Sequence, residues 1–410
     1  MKYVIIGNST AAVGCIEGLR QIDKTSPIAV VSVEKYHTYS RPLISYLLAG
    51  KTTERKMKYR PESFYKDNGC KLIAGKSVIK IEPDKKAITL SDGKSLGYDK
   101  LLFAAGSTPF VPPIKGLDEV THKYTFMSLD DAKALEQAIA KDCRVLILGA
   151  GLIGLKCAEG INKKVQSVTV IDMAQHILPS ILDAAGAEVV KSHIEKKGIR
   201  FVLSDSVQEF QGNSAVLAIG KTLDFDLLVI AVGVRPNIHL LKEIGAKTVR
   251  GIVTDCYGQT SLPSIYAAGD CTESVDVSTG ENRVLALLPN AYIQGECAGI
   301  HMAGGNKPYD KAIPMNAIGF FGLHVLTAGS YDGEEYITKS AGVYKRIVVK
   351  DNHLVGFILI GDGARAGIYT HLIKDRIPLD TVDFELIKDK PQLIAFSQSA
   401  RSKMLGGVAR

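Results

Sequence analysis

The sequence predicts an α/β protein of two doubly wound domains followed by a small C-terminal α+β domain. Two observations carry that reading. An apolar strand, a glycine turn and a helix follow one another twice, in KYVIIGNSTAAVGCIEGLR from Lys2 to Arg20 and in RVLILGAGLIGLKCAEGI from Arg144 to Ile161. Each copy then runs into a β-branched strand ending in an acid, IAVVSVE at Glu34 and VTVID at Asp172. Such repeats fold as parallel βαβ units, so two distant copies imply two separate sheets. The length of 410 residues fits, being too great for one small core.

Between the repeats, KLIAGKSVIKIEPDKKAITLSDGKSLGYDKLLFAAGSTP alternates apolar and polar residues with turn pairs, which predicts an antiparallel meander. Past about residue 313, NAIGFFGLHVLTAGS and YKRIVVKDNHLVGFILIG predict strands and GIYTHLIKDR a helix. The longest apolar run, Val145 to Leu155, has 11 residues and is too short to span a bilayer. With no signal-peptide core in MKYVIIGNST, the expected location is the cytoplasm.

The second glycine turn reads Gly149-Ala150-Gly151-Leu152-Ile153-Gly154, a GxGxxG between strand and helix. The first glycine allows the tight turn, the second a close approach to a pyrophosphate, and the third close strand–helix packing. Asp172, 18 residues past Gly154, stands where a carboxylate accepts ribose hydroxyls and repels a 2′-phosphate, so NADH is expected over NADPH. The first turn keeps Gly7 and substitutes Ser9 and Ala12, with Ala11 between them, and Glu34 lies 22 residues past Ala12.

Three more strands end in glycine turns: LLFAAGSTP, LLVIAVGVRPN and TSLPSIYAAGDCTE. With the two βαβ units they stand in the order of the pyridine nucleotide–disulfide oxidoreductase superfamily, which the chain resembles over roughly residues 1–300. YSRPLIS and LLPNAYIQGECAGIHMAGG resemble its branch of NADH-dependent rubredoxin and ferredoxin reductases and FAD/NAD subunits of iron–sulfur complexes. The resemblance implies two Rossmann-like, glutathione-reductase-like domains: an FAD domain at 1–112 and 244–312, an NAD(H) domain at 113–243, and a C-terminal interface domain with a tail at 313–410. It places Gly7, Ser9, Ala11 and Ala12 at the FAD pyrophosphate and Glu34 at its ribose. Arg41 and Pro42 would lie along the flavin, Val78 at the adenine, and Ala105 and Gly106 beside the cofactor. Glu159 would face the flavin, Asp270 would bind the ribityl chain and Leu288 would cap the ring. Gly149, Gly151, Leu152, Ile153, Gly154, Asp172 and Gly233 would serve NAD(H).

Relatives that reduce disulfides use CxxxxC near the first helix, and others use one cysteine in the opening loop. Here Cys15 stands alone, the loop reads Ser40-Arg41-Pro42, and no cysteine lies between 16 and 69. Serine and arginine cannot cycle through a sulfenate, so no catalytic side chain is expected and electrons would leave the flavin directly. The seven dispersed cysteines read as buried small hydrophobes, and no metal cluster has a workable spacing. The expected acceptor is an acidic rubredoxin- or ferredoxin-like protein docking near Lys51, Arg55, Lys56, Lys58 and Arg60, with direction of flow open. An oxidase using dioxygen and a non-enzymatic FAD-binding protein are the alternatives. The net charge of +7 without a long basic run gives no support for nucleic-acid binding. The tail QSARSKMLGGVAR is either flexible or an interaction segment.

Overall fold

The computed structural model describes residues 2–405. The described residues divide into two compact units: one holding 2–174, 198–275 and 282–310, the other 175–197, 276–281 and 311–405. The predicted pair of doubly wound sheets lies in the first unit, and each sheet has five parallel strands. One runs Ile265–Ala267, Lys100–Phe103, Tyr3–Ile6, Ile28–Ser32, Cys70–Ala74. The other runs Ile199–Leu203, Ser167–Asp172, Arg144–Leu148, Leu227–Ile230, Lys123–Thr125. Their central strands are continuous apolar runs, as strands covered on both faces must be.

The meander expected over residues 71–109 is corrected. Val78–Glu82, Ala87–Leu90 and Ser95–Gly97 pair antiparallel with one another, whereas Cys70–Ala74 and Lys100–Phe103 belong to the parallel sheet and Ser107–Pro109 pairs antiparallel with the distant Val234–Pro236. Alternation in short strands does not reveal the partner, and here the partners Tyr3–Ile6 and Ile28–Ser32 are far away in sequence.

The helices Thr10–Ile22 and Leu288–Met302 pack backbone to backbone across small residues. A Cβ on Gly14 would sit 2.2 Å from the Tyr292 carbonyl oxygen, and one on Gly295 2.0 Å from that of Ala11. This packing carries the segment after Asp270 back onto the first βαβ unit and so builds the wall of the site described below.

In the second unit, Met315–Phe320, Leu323–Gly329, His353–Ile360, Val343–Lys350 and Glu334–Ser340 form an antiparallel sheet in that order. The helix Ala366–Lys374 covers it around Phe357 and Tyr369, giving the expected α+β domain. The helix Ala184–Glu195, from the segment expected to serve NAD(H), groups with this unit. Its N-cap Asp183 receives the Tyr344 hydroxyl and the Arg346 guanidinium, the latter at 3.1 Å. Of the tail, Gln398–Leu405 is helical and 406–410 lie outside the described residues. Among the described residues no helix is long and apolar enough to cross a membrane.

Candidate functional site

The strands Tyr3–Ile6, Ile28–Ser32 and Lys100–Phe103 end on a cavity of about 340 Å³, within the range of small-molecule sites. Ten of the residues assigned to FAD line it: Gly7, Ser9, Ala11, Glu34, Arg41, Val78, Ala105, Gly106, Asp270 and Leu288. Three do not. Ala12 is fully buried in the core, Pro42 is exposed in the short turn Arg41–Leu43, and Glu159 lies on another helix.

Backbone sterics explain the two glycine turns. Gly7 has φ +109° and a Cβ there would lie 2.1 Å from the Ala104 carbonyl oxygen; Gly149 has φ +105° and would meet that of Ala231 at 2.3 Å. At Gly151 nothing lies within 4 Å of a Cβ position, which leaves room for a group against the backbone. Leu152 and Ile153 open the next helix. Its N-cap Gly151, like Ser9 before Thr10–Ile22, makes no side-chain cap, whereas Ser128 and Asp183 do cap their helices. Both glycine turns therefore present first-turn N–H groups that no capping side chain occupies, the donors that phosphates take.

The stretch YHTYSRPLISY contributes a charged wall. Arg41 pairs with Glu34 Oε1 and reaches the Met127 carbonyl oxygen at 3.3 Å, while the Tyr39 hydroxyl donates to Glu34 Oε2 at 2.6 Å. The predicted ribose acid and the predicted flavin-side cation thus hold each other. Asp270 accepts from the Ser107 hydroxyl at 3.5 Å. Burial pushes its carboxyl above the ordinary range, against the pull of Arg41 and Ser107. Asn237 fixes the turn opposite, donating Nδ2–H to the Ala105 carbonyl and its backbone N–H to that of Gly106, both at 2.9 Å.

The residues assigned to NAD(H) gather away from this cavity. Asp172 accepts the Ala150 N–H at 2.7 Å and the Ala174 N–H at 2.8 Å, so the acid braces the glycine turn it follows. Gly233, at φ +115°, ends the turn after Leu227–Ile230. Glu159 pairs with Lys156 on its own helix and with Lys51 at 3.6 Å, and its side chain is 9% exposed. Lys58 and Arg60 pair with Glu62 and Glu17, while no salt bridge is found for Arg55 or Lys56 among the described residues. The basic run is half neutralised, mostly by acids distant in sequence.

Sequence reasoning missed Asn8, Tyr36, Tyr39, Lys76 and Asn237, all in the cavity wall. Both Asn237, in the quoted GVRPN turn, and Tyr39, at the head of YSRPLIS, were within reach; the motif did not show where the Tyr39 hydroxyl goes. No cysteine is among the lining residues. Cys15, Cys157, Cys271 and Cys297 are buried, and burial raises their thiol pKa values, to about 12 for Cys271 and about 11 for Cys297. Among the described residues no cluster of three or more His, Cys, Asp or Glu could hold a metal.

Residues 1–295 match the family model described as pyridine nucleotide-disulphide oxidoreductase. The chain belongs to that family. It binds FAD and NAD(H) and is a flavin-dependent oxidoreductase. Residues 314–377 match the rubredoxin NAD+ reductase C-terminal domain, which places it in the rubredoxin/ferredoxin reductase branch. It is 32% identical over 391 residues to the NADH-dependent phenylglyoxylate dehydrogenase subunit epsilon of Aromatoleum evansii, covering 92% of each chain. It is 29% identical to the rubredoxin-NAD(+) reductase of Pseudomonas putida, over 75% of this chain and 81% of that one. The fold matches the reductase of a covalent putidaredoxin reductase–putidaredoxin complex, with TM-score 0.87 and 24% identity, over 95% of this chain and 96% of that one.

Proposed function

We propose that the chain moves electrons between NADH and a one-electron iron–sulfur carrier protein directly through its flavin, with no cysteine relay. The observation that carries this is a cofactor cavity walled by Arg41, Glu34 and Asp270 and lined by no sulfur nucleophile. The similarity to the rubredoxin-NAD(+) reductase of Pseudomonas putida supports the carrier class.

FAD held by Ser9, Arg41 and Asp270 would supply the redox chemistry, exchange between a two-electron hydride and single electrons. The chain's residues bind and orient. The open backbone at Gly151 and the uncapped helix start receive the NADH phosphates, and Asp172 receives the ribose while holding Ala150. Ser9 and the first-turn amides take the FAD phosphates, and Asp270 accepts hydroxyls of the ribityl chain. Arg41 balances the charge of Asp270 and Glu34 in the same wall.

Docking of an acidic carrier is assigned to Arg55 and Lys56, the cations of the basic run without a salt bridge among the described residues; Lys51, Lys58 and Arg60 already face carboxylates. The similarity to a dehydrogenase subunit favours a carrier held within a complex over one that diffuses. The test is NADH oxidation with a rubredoxin or a small ferredoxin against oxygen alone. Faster turnover with either carrier, falling with salt, is expected; equal rates with oxygen alone would instead identify an oxidase.

A further inference from the structure

Tyr39 is buried in the cavity wall and its hydroxyl is a junction of three segments. It donates to Glu34 Oε2 at 2.6 Å, accepts the backbone N–H of Leu129 at 2.9 Å, and lies 3.4 Å from Arg41 Nη1. A phenol has one donor and two lone pairs, so every hydrogen-bonding position of this group is used. Leu129 opens the helix Leu129–Ala138, which its own capping box at Ser128 and Asp131 already fixes. Further interactions fasten the same segment to the cavity. Arg41 donates to the Met127 carbonyl oxygen at 3.3 Å, the Tyr36 hydroxyl donates to Asp130, and Lys133 lies over the Tyr36 ring at 4.6 Å and pairs with Glu54 at 2.8 Å. Met127, Tyr36, Tyr39 and Arg41 all line the cavity.

We infer that Tyr39 is a positioning residue for FAD: its hydroxyl holds the Glu34–Arg41 pair in place and ties to it the Met127–Lys133 segment, which enters the cavity wall at Met127, so that FAD release requires this junction to loosen. The inference rests on the FAD site and is independent of which acceptor takes the electrons. Tyr39→Phe keeps the ring but removes the donor to Glu34 and leaves the buried Leu129 N–H without its acceptor, a loss large enough to change cofactor release.

The test is the FAD dissociation rate, read by dilution of the holoenzyme and return of free-flavin fluorescence, together with the melting temperature of the apoprotein. Tyr39→Phe is expected to speed FAD loss about tenfold, with the apoprotein melting within about 2 °C of the parent. In a Glu34→Ala background, which removes the acceptor of the Tyr39 hydroxyl, the added effect of Tyr39→Phe is expected to shrink to about threefold, the remainder being the lost acceptor of the Leu129 N–H. An unchanged dissociation rate overturns the inference. So does an apoprotein melting loss that fully accounts for the faster release, or a Tyr39→Phe effect equal in both backgrounds.

Discussion

Replacing Arg41 by alanine removes one partner of an ion pair in the cavity wall. The guanidinium meets Glu34 Oε1, the Met127 carbonyl at 3.3 Å and the Tyr39 hydroxyl at 3.4 Å. Hydrogen bonds to charged groups are worth about 1.5–3 kcal/mol, and leaving a buried acid unpaired costs more. The pair is not fully buried, however, with side-chain exposures of 31% for Arg41 and 16% for Glu34. Solvent screening brings the expected loss to about 1–2 kcal/mol, or roughly 5- to 30-fold in FAD affinity. Arg41→Lys keeps the charge but not the fork, and should fall between parent and Arg41→Ala. The assay is titration of apoprotein with FAD, followed by quenching of flavin fluorescence. A dissociation constant for Arg41→Ala within about twofold of the parent would refute the assignment of Arg41 to the cofactor.

The remaining predictions concern the other parts of the site. Asp172→Ala should raise the NADPH-to-NADH ratio of kcat/KM and also weaken NADH itself, because the Ala150 N–H loses its acceptor; an unchanged ratio would remove Asp172 from coenzyme choice. Gly154→Ala should abolish reduction of the flavin by NADH while FAD stays bound, since its Cβ would lie 2.0 Å from the Gly149 carbonyl oxygen; full activity would contradict that packing. Asp270 has a raised pKa in the fold, so ionising it destabilises the apoprotein. Its contribution is fully present below the ordinary value of 3.8 and is lost as pH rises through the higher folded value. Asp270→Asn should therefore make the apoprotein melt higher than the parent at neutral pH, with a difference that closes in acid, while FAD binds more weakly. A lower melting point at neutral pH would reverse the sign.

Both nucleotide units were legible because their constraints are local. Gly7 and Gly149 need positive φ and an adjacent carbonyl, and such turns repeat whenever a strand feeds a helix under a phosphate. The C-terminal α+β domain was equally legible from its strands. Ten of the residues assigned to FAD line one cavity, and Gly7, Glu34, Ala105, Gly106 and Asp270 among them follow strands that the doubly wound order brings together. What stayed hidden depends on distant partners. Cys70–Ala74 and Lys100–Phe103 read as part of a meander until their parallel neighbours are known. Lys51 and Arg60 read as free charge until Glu159 and Glu17 arrive from other helices. Tyr39 heads YSRPLIS, but its role exists only where Glu34, Arg41 and Leu129 meet. The grouping of Ala184–Glu195 with the second unit is of the same kind, since its cap is held by Tyr344 and Arg346.

The direct exit of electrons from the flavin is tested by one rapid-mixing measurement. Enzyme whose accessible thiols have been alkylated, Cys256 being the exposed one, is reduced anaerobically with one equivalent of NADH. It is then mixed with oxidised iron–sulfur carrier, and reoxidation is read in the flavin absorbance. The account predicts reoxidation as fast as in the unmodified enzyme and much faster than by dissolved oxygen. Loss of carrier reduction on alkylation, or reoxidation by oxygen that matches the carrier, would contradict it.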